Sequence, residues 1–190
     1  MKSKYLDEYI ISSDSDEIIE EGKKFGLNCY FKRPKNISGD KIGDVPVLKH
    51  ALIEVEKHNK VKYDIIIMLQ PTAPLRNEVQ INNVIKKIIN EDLDTVWTVH
   101  KVDDKFHPDK QLKINSNGYL NYFTNKGKDI ISRQQLGDSY MKNGIAYAIT
   151  REFLLKKKLI LGDKAGFIIL DGPILNIDTY TELKEAVKYF

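Results

Sequence analysis

The run Tyr63-Asp64-Ile65-Ile66-Ile67-Met68-Leu69 constrains the fold most tightly. It is rich in β-branched residues, too short for a helix, and bounded by Lys62 on one side and Gln70-Pro71 on the other. A strand with one wet face alternates polar and apolar residues. This run does not alternate, so it reads as a strand buried on both faces, the signature of a parallel sheet covered by helices. We expect it to be the central strand.

The neighbouring segments fit that frame. Residues 9–13 read as a strand, closed by the polar cluster Asp14, Ser15 and Asp16, and 17–25 repeat apolar residues at helical spacing. Gly26 stops that helix, 27–32 read as a second strand, and Arg33-Pro34 turns the chain out of it. After a polar, glycine-containing loop, Pro46 suits the first turn of a helix to Asn59. Beyond the 63–69 strand, the rigid segment Gln70-Pro71-Thr72-Ala73-Pro74-Leu75-Arg76 leads through Asn77 into a helix to Asn90, followed by a strand at 95–99. Residues 101–138 interrupt the alternation. They are rich in Asn, Lys, Gly and Asp, and carry two short runs, 111–114 and 119–123, around Asn117-Gly118, a hairpin signal. Strands at 144–150 and 166–170 and helices at 151–158 and 181–189 complete the chain. The pattern predicts a single α/β domain over 1–190, a doubly wound, mostly parallel Rossmann-like sheet with a hairpin excursion.

Composition narrows the function classes. Among 190 residues, 30 Lys+Arg against 27 Asp+Glu give a net charge of +3 with no basic block, so no nucleic-acid partner is implied. No run approaches the roughly 20 apolar residues of a membrane span. Cys29 is the single cysteine, which excludes an internal disulfide and a cysteine zinc site and, with no signal-like start, suits a cytoplasmic location. The four histidines show no zinc-binding spacing, and neither a GxGxxG nor a GxxxxGK loop occurs.

In a doubly wound sheet, ligands bind beyond the carboxyl ends of the strands. Those ends hold Arg33, Arg76, Arg133, Asp14, Asp16, Asp178, Gln70, Asn143 and Asn176. Arginines there suit phosphate or carboxylate, and an aspartate facing them suits a hard divalent cation. Each also has a plain reading. A surface Arg is commonly a solvated charge, and Asp14 and Asp16 serve as N-caps of the helix that follows.

Taken in order, the segments SKYLDEYIISSDSDEI (3–18), RPKNISGD (33–40), LQPTAPLR (69–76), RQQL (133–136), NGIAYAI (143–149) and NIDTYTEL (176–183) resemble the acylneuraminate cytidylyltransferases, the CMP-sialic acid synthetase family. The resemblance spans nearly the whole chain. It implies the nucleotide-diphospho-sugar transferase type of fold and transfer of CMP from CTP to a sialic-type nonulosonic acid, with release of pyrophosphate. It implies that Arg33 reads the cytosine edge, with Ile42 and Asp44 in the loop over the base. Gln70 matches the glutamine that contacts the sugar, and Arg133 an arginine near the sugar carboxylate. Asn143 meets sugar hydroxyls or forms a turn, and Arg76 closes its motif or caps the next helix. Asp178, with Asn176, matches the position that holds Mg²⁺. The 101–138 excursion corresponds to the family's dimer-forming arm, so a homodimer is expected.

The chain departs from the pattern in three places. Asn176 stands where the family often has a carboxylate, and Met141-Lys142 where many members have Arg-Pro, leaving Lys142 as a charge without the guanidinium fork. The family's opening strand and basic glycine-containing phosphate loop, roughly 25 to 35 residues by ordinary element lengths, have no counterpart before Ser3. The resemblance therefore implies a chain weak or inactive alone, or a sugar-binding, dimerising subunit completed by another chain. It also implies unpaired ladders at the 9–13 and 63–69 strands.

Overall fold

Helix boundaries follow from capping side chains. In the computed structural model, which describes residues 3–173 and 175–189, α1 spans Asp16–Lys24, α2 Asp44–Asn59, α3 Glu78–Asn90, α4 Arg151–Lys156 and α5 Tyr180–Ala186. Asn77 Oδ1 accepts from the Gln80 amide at 3.0 Å while Gln80 Oε1 accepts from the Asn77 amide at 3.0 Å, a reciprocal cap that starts α3. Thr179 and Glu182 do the same for α5. At α1 the expectation of an aspartate cap is corrected. Ser15 is the N-cap, its Oγ accepting from the Ile18 amide at 3.4 Å. Asp16 is already helical, where its charge favours the amino end of the helix dipole, and it pairs with Lys32.

The strands are β1 (Ile65–Met68), β2 (Thr95–Lys101), β3 (Leu112–Ile114), β4 (Leu120–Tyr122), β5 (Tyr140–Thr150) and β6 (Ala165–Ile169). Four of them form the main sheet in the order β1-β5-β2-β6. β2 and β6 are parallel, and β5 is antiparallel to both β1 and β2. Three strands therefore share one direction and β5 runs against them, so in place of the expected mostly parallel sheet the four strands form a mixed one, with two antiparallel pairings and one parallel.

Helices cover both faces. On one, α3 packs Ile81, Val84, Ile85 and Ile88 against Val96, Ile145, Ala146 and Ala148. On the other, Leu52 of α2 and Phe153 and Leu154 of α4 pack with Ile149. A bidentate pair, Arg151 Nε to Glu56 Oε1 at 2.7 Å and Nη2 to Oε2 at 3.0 Å, ties α4 to α2.

Two expectations are corrected. The 63–69 run is an edge strand among the described residues, not the central one. Its members are only half-buried, whereas β5 is buried from Asn143 to Ile149 because it has a partner on each side. The expected strands at 9–13 and 27–32 reduce to one parallel bridge, Ile10 with Asn28. Two polar anchors hold that region in place of a ladder. Glu8 accepts from Asn28, Tyr30 and Asn59, and the Arg33 amide donates to Ser13 O at 2.8 Å. The start of the chain at Met1 and Lys2, on which the expected missing segment rests, lies outside the described residues.

The hairpin appears as expected. β3 and β4 pair from Leu112↔Tyr122 to Ile114↔Leu120 as a separate two-stranded sheet, with Gly118 at φ +83° in its turn. Its apolar side chains lie open: Leu112, Ile114, Tyr119, Leu120 and Phe123 are all more than half exposed.

Candidate active site

The site is built around an irregularity in β5. Trp97 of β2 pairs with Tyr147, and Val99 with Lys142. Between those pairs β2 spends one residue, Thr98, and β5 spends four, Asn143-Gly144-Ile145-Ala146. A bulge of this kind bends the strand and breaks its ladder, so the amides it frees need other acceptors. Side chains supply them. Gly144 N–H donates to Tyr147 Oη at 2.6 Å, Ile145 N–H to Asn143 Oδ1 at 3.2 Å, and Ala146 N–H to Thr98 Oγ1 at 3.0 Å.

The bulge is locked to the proline-stiffened loop after β1. Gln70 N–H donates to Gly144 O at 3.2 Å. Gly144 has φ +73°, and a Cβ there would stand 2.6 Å from Gln70 Oε1 and 3.2 Å from Ala73 Cβ, so only glycine lets the two segments approach this closely. The loop keeps its shape through Arg76. Its Nε and Nη2 donate to Ala73 O, Nη2 also reaches Gln70 O, and burial pushes the guanidinium pKa down. Of the two roles open to Arg76, the structure selects the loop clasp.

A third segment joins the same place, because Ile177 N–H donates to Thr72 O at 2.8 Å. This sets Asn176 and Asp178 beside the loop that carries Gln70. Asn176 Oδ1 is buried and has no hydrogen-bond partner among the described residues. Asp178 is exposed; its amide, with that of Thr179, donates to Glu182, leaving its carboxylate out of the helix cap. Asn143 is fully buried. Its Oδ1 is taken by Thr98 Oγ1 at 2.6 Å and by Ile145 N–H, while its Nδ2 has no partner among the described residues. A buried amide left unpaired costs about 1–3 kcal/mol, so each asparagine has a hydrogen-bonding atom free to meet a ligand or water.

Arg33 lies in a second group. Its guanidinium donates to Ser38 Oγ at 3.1 Å, Ser12 O at 3.4 Å and Asp14 Oδ1 at 3.2 Å. Ser12 Oγ beside it is buried and unpartnered. Ile42 is exposed in the following loop, and Asp44 opens α2 behind the Gly43 cap. Tyr147, 3% exposed, has its pKa raised by burial, against the opposing hydrogen bond from the Gly144 amide and with a smaller push from the charge of Asp44.

Two expected site residues stand apart from these groups. Arg133 is exposed on the excursion and paired with Asp104, lining a cleft of about 600 Å³ with Lys101, Asp103, Lys105 and Lys110. Lys142 is exposed on β5, immediately before the bulge. No hydrogen bond joins either side chain to Gln70 or Asn143 among the described residues. Sequence reasoning missed Thr98 and Tyr147. Tyr147 was within reach as the tyrosine of the NGIAY segment; Thr98 carries no local signal.

No family model matches the chain. It is 28% identical over 184 residues to the CMP-N,N'-diacetyllegionaminic acid synthase of Campylobacter jejuni, covering 96% of this chain and 76% of that one. It is 27% identical over 187 residues to the pseudaminic acid cytidylyltransferase of the same species, covering 98% and 79%. Among solved structures, a CMP:2-keto-3-deoxy-manno-octonic acid synthetase complexed with CTP superposes with a TM-score of 0.62 at 15% identity, covering 99% of this chain and 82% of that one, which shows the shared fold. With the QPTAPLR loop, the NG bulge and the IDT segment meeting at one end of that fold, the chain is similar to the CMP-sialic acid synthetase-type cytidylyltransferases.

Proposed function

We propose that the protein binds CTP and a sialic-type nonulosonic acid and transfers CMP to the sugar, releasing pyrophosphate. One observation carries this reading. Two backbone hydrogen bonds, Gln70 to Gly144 and Ile177 to Thr72, gather Gln70, Asn143 and Asn176 at one end of the sheet. The last two present a buried donor and a buried acceptor with no partner among the described residues. A polyhydroxylated sugar acid offers both senses of hydrogen bond.

In this reading the sugar's anomeric hydroxyl attacks the α-phosphate of CTP in line, the new P–O bond forming as the bond to pyrophosphate breaks. Gln70 and Asn143 orient the sugar, Arg133 and Lys142, which stand apart from them in this structure, are assigned to its carboxylate, and Arg33, Ile42 and Asp44 hold the cytidine. Orientation of this kind supplies much of the catalysis in group transfer. Asn176 and Asp178 would hold Mg²⁺. One neutral oxygen and one carboxylate fit an ion that keeps waters and phosphate oxygens as its other ligands. Among the described residues no three His, Cys, Asp or Glu side chains cluster to form an all-protein cage. When bound, Mg²⁺ supplies charge neutralisation at the triphosphate. The open apolar side chains of the β3–β4 hairpin support a homodimer formed through the 101–138 arm. No helix is long and apolar enough to cross a membrane among the described residues.

The test is direct. The purified chain is given CTP, Mg²⁺ and, in turn, N-acetylneuraminic, legionaminic and pseudaminic acids, and pyrophosphate and CMP-sugar are measured. CMP-sugar from at least one acid supports the reading. No product and no sugar binding by calorimetry overturns it, while sugar binding without turnover leaves a binding subunit.

A further inference from the structure

We infer that Thr98 is a positioning residue for the sugar site, acting through Asn143 from the far side of the β5 bulge; this rests on the placement of Asn143 under Proposed function. Thr98 is fully buried and stands alone opposite the four bulged residues. Its single hydroxyl does two jobs. It accepts from Ala146 N–H at 3.0 Å, standing in for the ladder bond that the bulge removes. Its proton has two acceptors in range, Asn143 Oδ1 at 2.6 Å and Ala146 O at 3.0 Å, and the shorter contact takes it.

That choice decides which way the Asn143 amide faces. Oδ1 receives both Thr98 O–H and Ile145 N–H, so it is the oxygen that points into the sheet. Nδ2 must then point away, and it is the atom left buried without a partner. Thr98 thus sets a two-proton donor towards the ligand, matched to a carboxylate or hydroxyl oxygen. Tyr147 holds the next residue in the same way. Its Oη takes Gly144 N–H at 2.6 Å, and its ring packs 4.7 Å from that of Trp97 on β2. Removing the Thr98 hydroxyl while keeping its shape leaves Oδ1 with one donor, and the amide is then free to turn over.

Thr98→Val, Thr98→Ser, Asn143→Ala and the double variant Thr98→Val/Asn143→Ala are compared by calorimetry, using CTP and whichever of N-acetylneuraminic, legionaminic and pseudaminic acid the parent binds most tightly. Loss of one buried hydrogen bond at the ligand corresponds to about a tenfold weaker sugar affinity. We expect that loss in Thr98→Val with CTP affinity unchanged, recovery in Thr98→Ser, and no further loss when Thr98→Val is added to Asn143→Ala. A role confined to folding would instead weaken CTP and sugar together and add to the loss in the double variant; either result overturns the inference. Sugar affinity lowered by Asn143→Ala but untouched by Thr98→Val removes Thr98 alone. Sugar affinity untouched by Asn143→Ala overturns the placement of Asn143, and the inference with it.

Discussion

Replacing Gly144 by alanine separates the two things that glycine does. The first is backbone geometry: at φ +73° an added Cβ costs about 1–2 kcal/mol. The second is clearance, since the same Cβ would stand 2.6 Å from Gln70 Oε1 and 3.2 Å from Ala73 Cβ. The Gln70 amide is the tip of a flexible side chain and can swing away. Ala73 is fully buried and cannot, which adds roughly 1 kcal/mol of overpacking. Lower entropy of the unfolded chain returns about 0.4–1 kcal/mol. The net loss is therefore about 1–2.5 kcal/mol, or roughly 3–8 °C in Tm for a chain of this size. Gly118→Ala is the control, because Gly118 has φ +83° and nothing within 4 Å of its would-be Cβ, so it reports backbone strain alone. By differential scanning fluorimetry, Gly144→Ala should lose more Tm than Gly118→Ala. By calorimetry it alone should lose sugar affinity, at least tenfold for a displaced Gln70 amide. Equal Tm losses with unchanged sugar affinity would refute the claim that this glycine exists to seat Gln70.

Three further outcomes follow from other parts of the molecule. Asn176→Asp restores a carboxylate and should lower the Mg²⁺ concentration needed for half-maximal pyrophosphate release several-fold, whereas an unchanged or raised requirement removes Asn176 from the metal site. Arg133→Ala should weaken sugar binding with little effect on CTP, and equal loss of both would sink that assignment. The Arg151 guanidinium beside Glu56, helped by the Tyr63 amide, holds the Glu56 carboxyl below the usual carboxylate range against the opposing effect of burial. The link therefore stabilises the fold above the unfolded-state value near about 4.3 and is lost as pH falls through the lower folded value. The Tm gap between the parent and Glu56→Gln should stay constant from about pH 8 to 5 and close below about pH 4; a gap that persists at low pH contradicts this.

What was legible in the sequence was whatever is decided locally. The hairpin at Asn117-Gly118, the start of α3 at Asn77 and the stiff loop after β1 each depend on residues a few positions apart, and each appears where the pattern puts it. Gln70, Asn143 and Asn176 could be singled out for the same reason, as each sits in a compact motif. Pairing between distant residues was not legible. The 63–69 run reads as a buried strand from its own side chains, yet its place at the edge depends on where β5 lies. The Ile10–Asn28 contact shows the same limit: two segments with strand-like composition make one bridge, because the hydrogen bonds that anchor them run to Glu8 and Ser13 instead.

Thr98 marks the point at which a linear reading stops. Within Thr95-Val96-Trp97-Thr98-Val99 it is an unremarkable threonine in a β-rich run, where threonine is common because a branched side chain packs well on a pleated surface. Its hydroxyl acquires a task only because β5 spends four residues where β2 spends one. Had the two strands paired without the bulge, Ala146 N–H would have found a backbone carbonyl, and Asn143 would have stood in the ladder rather than beneath the site. The NG pair provides the turn, but the residue across the sheet decides which way the asparagine amide faces. If Asn143 meets the ligand as proposed, specificity is divided between a motif that sequence comparison can find and a cross-strand partner that only the register reveals.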